Sequence, residues 1–352
     1  MAIGAHIAGE NPEKKLLFIT LQEIAVSQPD NKIIFFTNGL IIDLPHNCVL
    51  VNISPKPKNK LLLYYWYKYK LPKLLVKYNI QSFISNSGML PAAESVKEFL
   101  FIEDLFFAEK VNRFFKNKMI DALGVAQTIF VTDEYLEEEL RHTFKKIVLK
   151  TETLYFSLAK TTGNFTLNEI EVVKEKFSNG FDYYLFPVNT FLEAHIITLL
   201  KSFSQLKKWQ KTSLKMVLLF ENDIDEKLLP DFKNYKYKND VLLIKQTDEN
   251  REKLTAAAFA MVFLGNYTRR HTVYEAFYYN IPVIAADTVT NNVLFKSAVN
   301  YASLTVEGLA LQLQLLYKNE TIKNQLIQKA TVYLTKFNSN TVSQRLYDII
   351  SN

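Results

Sequence analysis

The stretch Ala256–Asp287, AAAFAMVFLGNYTRRHTVYEAFYYNIPVIAAD, decides how the rest of the chain reads. Met261-Val262-Phe263-Leu264 is a short apolar run closed by Gly265, the pattern of a parallel strand covered on both faces. Asn266 to Arg270 reads as a polar loop with two arginines. From Thr272, a candidate N-cap, the spacing of Val273, Ala276, Phe277 and Ile281 predicts a helix with one apolar side. Pro282 ends it, and Val283-Ile284-Ala285-Ala286 is the next buried strand. In α/β proteins, a loop between a parallel strand and a helix start faces anionic ligands with backbone N–H groups that lack intrahelical partners. Arg269 and Arg270 add two permanent charges whose forked donors match phosphate oxygens. The segment predicts an anion site.

The 352 residues are enough for two domains, and 48% apolar with 22% charged residues is ordinary for a soluble globular protein. Nine glycines are few for a nucleotide binder, whose phosphate loops use several, whereas 26 Phe and 19 Tyr are many. One cysteine, Cys48, excludes an internal disulfide framework and a cysteine-rich metal site. His6, His46, His142, His195 and His271 show no ligand spacing, so no metal is expected. No apolar run reaches the ~18 residues of a membrane span. The start, MAIGAHIAGENPEKK, lacks the cationic and then apolar order of a signal peptide, so a cytoplasmic chain is expected. A net charge of +6 points to an anionic partner.

Outside the opening stretch, apolar runs alternate with helical patterns. A short start at Ala2–Gly9 precedes a helix over Leu16–Val26 and strands at Lys32–Thr37 and Cys48–Ile53. Further strands read at Ser82–Ser85, Phe99–Ile102, Thr128–Thr132 and Ile147–Leu149, with Asp133 a candidate cap for the helix that follows Thr132. Lys160–Asn164 is the linker candidate. Beyond it come strands at Tyr183–Pro187, Leu214–Phe220 and Val241–Ile244, and a helix over Glu252–Ala260. Helical patterns close the chain at Val306–Tyr317, Ile322–Phe337 and Asn340–Ile350. Two such halves predict a doubly wound α/β architecture. Lys56–Asn79, KPKNKLLLYYWYKYKLPKLLVKYN, has seven lysines, one Trp and five Tyr, and no acidic residue. It reads as stacking platforms for nucleic acid, as an amphipathic helix on a membrane surface, or as a packed helix with solvated lysines.

Ala256–Asp287 also resembles the carboxyl-terminal signature of family 4 glycosyltransferases, retaining enzymes of the GT-B fold. Glu275-Ala276 matches the second Glu of that pattern and its Ala, and Ile281-Pro282-Val283-Ile284-Ala285 matches the closing strand. Tyr267 stands where the family has its first Glu, and Thr268–Thr272 replaces the glycine-rich loop. Glu103-Asp104 stands where the family has His-Asp. Pro187-Val188-Asn189-Thr190 stands for Gly-Arg, Ala194-His195 lies near the Lys position, and Glu221 replaces a Gly. The resemblance implies two Rossmann-like domains facing across a cleft, 1–158 on the acceptor side and 159–337 on the donor side, with the last helix (about 338–352) returning to the first.

It further implies a retaining transfer of sugar from a nucleotide-sugar donor to a glycan or lipid-linked acceptor in surface polysaccharide or glycoconjugate synthesis. No cofactor beyond the donor is implied, and work at the inner face of the cell membrane through 56–79 is. The implied catalytic residues are Glu103, Asp104, Arg269 and Arg270. The donor-binding residues are Glu275, His271, Thr272, Tyr267 and Asn189, with Glu275 on the ribose and the arginines replacing the family's missing cations. Those missing cations equally suit a catalytically inactive relative that binds or scaffolds. A nucleic-acid partner is not expected, because the basic stretch is local and no recognition motif accompanies it.

Overall fold

The computed structural model describes residues 1–9, 15–39, 43–54, 57, 59–105, 113–145, 148–155, 163–188, 193–223, 232–265, 267–337 and 339–352. They form two compact units, one of Met1–Ser157 with Phe337–Asn352 and one of Leu158–Lys336.

The first unit holds β1 (Ala2–His6), β2 (Lys32–Thr37), β3 (Cys48–Asn52), β4 (Ser82–Ser85), β5 (Lys97–Ile102), β6 (Thr128–Val131) and β7 (Thr151–Thr153). All pair in parallel, in the order β3-β2-β1-β4-β5-β6-β7. The unbroken apolar runs follow from burial on both faces. Ile33 and Phe35 of β2 enter one core with Leu17, Leu21 and Ile24 of the helix Leu16–Ser27, while Ile34 and Phe36 enter the other with Trp66, Tyr67 and Leu71. Gly4 of β1 makes room for Ile80 and Phe83, because a Cβ there would lie 2.7 Å from Cδ1 of Ile80 and 3.2 Å from the Phe83 ring, and those side chains would have to shift. The last helix, Ser339–Ser351, adds Val342, Leu346 and Ile350 to the first core and accepts a hydrogen bond from Ser82 Oγ at Ile350 O, 2.5 Å.

Between β3 and β4 runs a helical ridge capped by Asn59, whose side chain accepts the Leu62 N–H at 2.9 Å. It is α-helical over Lys60–Tyr65 and Leu71–Lys77, with a π-turn at Trp66–Lys70.

The second unit holds β8 (Tyr183–Val188), β9 (Lys215–Phe220), β10 (Val241–Lys245), β11 (Ala260–Phe263), β12 (Val283–Ala286) and β13 (Asn300–Ala302), again all parallel, in the order β10-β9-β8-β11-β12-β13. One of its faces is closed by Leu199 and Phe203 of the helix Glu193–Trp209 and Leu309 and Leu313 of the helix Val306–Lys318.

Two expectations are corrected, and one strand was not expected. The strand closing the first sheet is Thr151–Thr153; of the expected Ile147–Leu149, Ile147 lies outside the described residues, and Val148, 91% exposed, and Leu149 lie in no strand, whereas Thr151 and Thr153 donate to Glu137 from the preceding helix. The helix read over Glu252–Ala260 is Asp248–Ala256, because Thr247 and Asn250 form a reciprocal cap that starts it earlier. Asn300–Ala302 is a strand that three residues of mixed polarity do not announce. Of the linker candidate Lys160–Asn164, residues 160–162 lie outside the described residues.

Candidate functional site

In each sheet the chain winds outward in both directions from the unit's first strand. The strand order therefore reverses beside β1 in the first unit and beside β8 in the second. Past the carboxyl ends of the strands at such a point a crevice opens, because the two neighbouring connections leave to opposite sides.

In the second unit this point lies between β8 and β11. Asn189, after β8, lies outside the described residues. After β11 the chain makes a 3-10 turn, Tyr267–Arg269, and enters the helix Arg270–Tyr278. The expected polar loop with a helix from Thr272 is thus too long. Tyr267 is buried, its ring turned inward with the Arg270 guanidinium 3.9 Å above it, and this pulls the chain into helical turns early. Thr272 is no N-cap, since its hydroxyl donates to Arg269 O at 2.9 Å from within the first turn.

Glu275 falls in the second helical turn, not the first, and is 5% exposed. Arg251, from the facing helix Asp248–Ala256, donates to its Oε2, and its Oε1 is buried without a hydrogen-bond partner among the described residues. An acceptor left so costs about 1–3 kcal/mol, a penalty that any bound hydroxyl placed there would relieve.

The two arginines are not open cations. Arg269 meets Glu221, at the end of β9, through two N–H···O contacts, of which Nη1–Oε1 is 2.7 Å. These contacts hold the Glu221 carboxyl below the usual range. Both side chains are more than a third exposed, so the pair contributes only about 0–1 kcal/mol and is exchangeable. Arg270 is committed to Tyr267, donating also to its carbonyl at 3.3 Å. His271 keeps an exposed edge, yet the protein around the ring, then the charges of Arg269, Arg251 and Arg270, lower its pKa to about 4. It is neutral at physiological pH.

In the first unit the reversal lies between β1 and β4, and the chain's own polar groups fill it. Asn86, after β4, accepts the Ala8 N–H at 2.7 Å and donates to Glu103 Oε1 at 3.0 Å. Glu103, after β5, also accepts the Leu16 N–H at 3.1 Å and lies 3.3 Å from Lys15 Nζ. Its carboxylate therefore serves as the anion at the start of the helix Leu16–Ser27, where unpaired N–H groups favour negative charge. Glu103, expected among the catalytic residues, is thus held by partners of its own unit. Asp104 is exposed beside it.

No protein-family model matches the chain, and no curated protein matches it in sequence. Solved structures do match it in three dimensions. HepE of Anabaena, crystallised with UDP, is 12% identical over 99% of both chains with a TM-score of 0.72. WaaG, a glycosyltransferase involved in lipopolysaccharide biosynthesis, is 13% identical over 100% of both with a TM-score of 0.67. Sucrose-phosphate synthase of Thermosynechococcus elongatus is 14% identical over 99% of this chain and 98% of that one, at 0.68. The fold is GT-B. At such identities the likeness establishes architecture, and chemistry has to be argued from the site.

Within this GT-B chain the structure groups Tyr267, Arg269, Arg270, His271, Thr272 and Glu275 on one strand-to-helix connection, and Glu103 and Asp104 on another in the other unit. Sequence reasoning missed Arg251, which lies on a helix with no marked apolar side and becomes visible only once that helix faces Arg270–Tyr278. It also missed a buried cluster at the carboxyl edge of the first sheet. There Tyr67 Oη lies 2.6 Å from His6 Nδ1 and 2.7 Å from the hydroxyls of both Ser85 and Ser87. Burial lowers the His6 pKa to about 3, so the ring is neutral and its Nδ1 suits the Tyr67 hydroxyl as an acceptor. Among the described residues, no group of three or more His, Cys, Asp and Glu side chains is placed to hold a metal. Cavities of about 440 Å³ and 250 Å³, lined respectively by Phe165, Val172 and Lys253 and by Tyr64, Met89 and Lys118, include none of the expected site residues.

Proposed function

We propose that the protein is a retaining glycosyltransferase that moves a sugar from a nucleotide-sugar donor to a glycan or lipid-linked acceptor. The observation that carries this reading is Glu275, a buried carboxylate with Arg251 on one oxygen and, among the described residues, no partner on the other. Ribose hydroxyls are donors of the kind that Oε1 lacks. Arg269 then supplies the charge that a departing diphosphate needs, once phosphate oxygens have displaced Glu221. Neutral His271, Thr272 and the Arg270–Tyr267 pair shape the connection, Asn189 is assigned to the donor side, and Glu103 and Asp104 are assigned to the sugar side. HepE, bound to UDP or to UDP-glucose in its crystals, supports a nucleotide donor.

Titration calorimetry with UDP, GDP, ADP and their sugars tests this on the native chain, on Glu275→Gln and on Arg269→Ala/Arg270→Ala. Saturable binding of one nucleotide, weakened in both variants, is the expected result and directs a transfer assay with that donor. Absence of binding at millimolar nucleotide would defeat the reading.

A second reading, a catalytically inactive binding or scaffolding protein, draws on the same geometry. Internal carboxylates already occupy Arg269 and the start of the helix Leu16–Ser27, where anionic ligands would otherwise go. Nucleotide binding without transfer or donor hydrolysis by any acceptor class would favour it.

A further inference from the structure

Arg251 ties together carboxylates of two helices. One Nη donates to Glu275 Oε2, on the helix Arg270–Tyr278, and the other donates to Glu252 Oε1, the next residue of its own helix, at 3.2 Å. Glu252 is anchored in turn. Its Oε2 accepts the Tyr279 hydroxyl and the Gly163 N–H, each at 3.3 Å, and Tyr279 directly follows the helix that carries Glu275.

Arg269 offers the contrast. Its pair with Glu221 is more than a third exposed on both sides, so a ligand can part it. The Glu275 side chain is only 7% exposed and that of Arg251 26%. Parting these two would strand a buried carboxylate without its cation, a cost that a neutral hydroxyl cannot offset. Arg251 therefore stays on Oε2 when a ligand arrives. Oε1, which has no partner among the described residues, is the acceptor left. On a carboxylate with both oxygens open, two neighbouring ribose hydroxyls could each take one.

The surroundings hold no spare cation for Glu275. The elements packed most closely on the helix Arg270–Tyr278 are the helices Asp248–Ala256 and Glu320–Leu334, the turn Tyr267–Arg269, and β11 and β12. The first brings Arg251 and Glu252, and the second the phenol of Tyr333, stacked on Tyr274 with centroids 6.1 Å apart. The turn brings Arg269, held by Glu221, and the two strands bring no titratable side chain. On the helix itself Arg270 lies against Tyr267, and His271 is neutral, through burial first and then the charges of Arg269 and Arg251.

We propose that Arg251 is a positioning residue of the nucleotide site: by holding Oε2 it leaves Glu275 one acceptor, so the site reads a single ribose hydroxyl and tolerates loss of the other. This rests on the nucleotide-sugar reading of Glu275 and adds which part of the ribose is recognised.

The test is titration calorimetry of the native chain with UDP, GDP and ADP and with the 2′-deoxy and 3′-deoxy forms of each. For the nucleotide that binds, one deoxy form should be roughly tenfold or more weaker, as loss of a hydrogen bond to a charged group requires, and the other should match the parent. This arm needs no variant, so it stands whatever a substitution does to folding. A second arm follows affinity from pH 8 to pH 5.5 in Arg251→Met, Arg251→Lys and Arg251→Met/Glu275→Gln. Each is taken as a ratio to the native chain, so that the titration of the nucleotide's own phosphate cancels. A buried carboxyl without its cation takes up a proton at higher pH, and then donates where it should accept. The Arg251→Met ratio should therefore fall with pH, by roughly tenfold per unit once that proton is bound. Arg251→Lys restores a cation and should stay level. The double variant cannot titrate at position 275 and should also stay level; a fall there would trace the effect to His271 and overturn the proposal. With nucleotide bound by the native chain, deoxy forms that both match the parent or both weaken alike, or a level Arg251→Met ratio, would overturn the role of Arg251 alone. No nucleotide binding by the native chain at millimolar concentration would instead defeat the nucleotide-sugar reading, and this one with it.

Discussion

Acid should destabilise the first unit through His6 in particular. In the folded unit the buried imidazole takes a proton only near pH 3, whereas an unfolded chain takes it near 6.5. Below pH 6.5 the unfolded state therefore binds a proton that the folded state refuses. The contribution of neutral His6 is fully present above 6.5 and is lost as pH falls from there towards 3. Going from pH 7 to pH 4 costs the fold about 3 kcal/mol from this one group, at about 1.4 kcal/mol for each pH unit.

The assay is urea unfolding followed by tryptophan emission. Trp66 is buried with its ring centroid 5.5 Å from that of His6, and the other tryptophan, Trp209, lies in the second unit. A Trp209→Phe background makes the signal report the first unit alone. His6→Asn keeps a carbonyl acceptor for the Tyr67 hydroxyl but cannot titrate. At pH 7 it should be less stable than the parent by about 1–2 kcal/mol, from lost ring packing. By pH 4 it should equal or exceed the parent, because carboxylates elsewhere titrate alike in both proteins and cancel in the comparison. Stability curves that stay parallel from pH 7 to pH 4 would refute the argument and show that His6 is not held neutral by burial.

Two further outcomes follow from the second unit. Glu221→Ala should tighten the binding of a nucleoside diphosphate by up to about fivefold, the most that an exposed ion pair withholds; unchanged affinity in calorimetry would mean that Arg269 does not face the phosphates. The His271 ring should titrate near pH 4, followed by its C2 proton resonance, and nucleotide affinity should then show no histidine step between pH 5.5 and 8; a midpoint near 6.5 would place the ring away from the arginines.

Much of the fold was legible in the chain itself. Lys32–Thr37, Ser82–Ser85 and Val283–Ala286 read as strands with the observed bounds, because a strand covered on both faces has an unbroken apolar centre and any polar residues fall at its ends. The Asp133 cap was equally legible, since a side chain that accepts the N–H three residues on, at 2.9 Å from Leu136, is a local matter. Glu275 and the arginines were marked as candidates by the resemblance and by residue type.

What each of them touches was decided by tertiary structure. Glu221 and Arg269 are 48 residues apart and meet only because β9 and β11 flank β8 with their carboxyl ends level. Arg251 reaches Glu275 across 24 residues because the helices on either side of β11 pack together. Glu103 reaches the start of the helix Leu16–Ser27, 87 residues earlier, because β4 and β5 follow β1 in the sheet. Apolar periodicity reports whether a residue faces the core, which is a property of its own element. The partner of a charge depends on which elements lie side by side, and that order is set by packing the whole sheet.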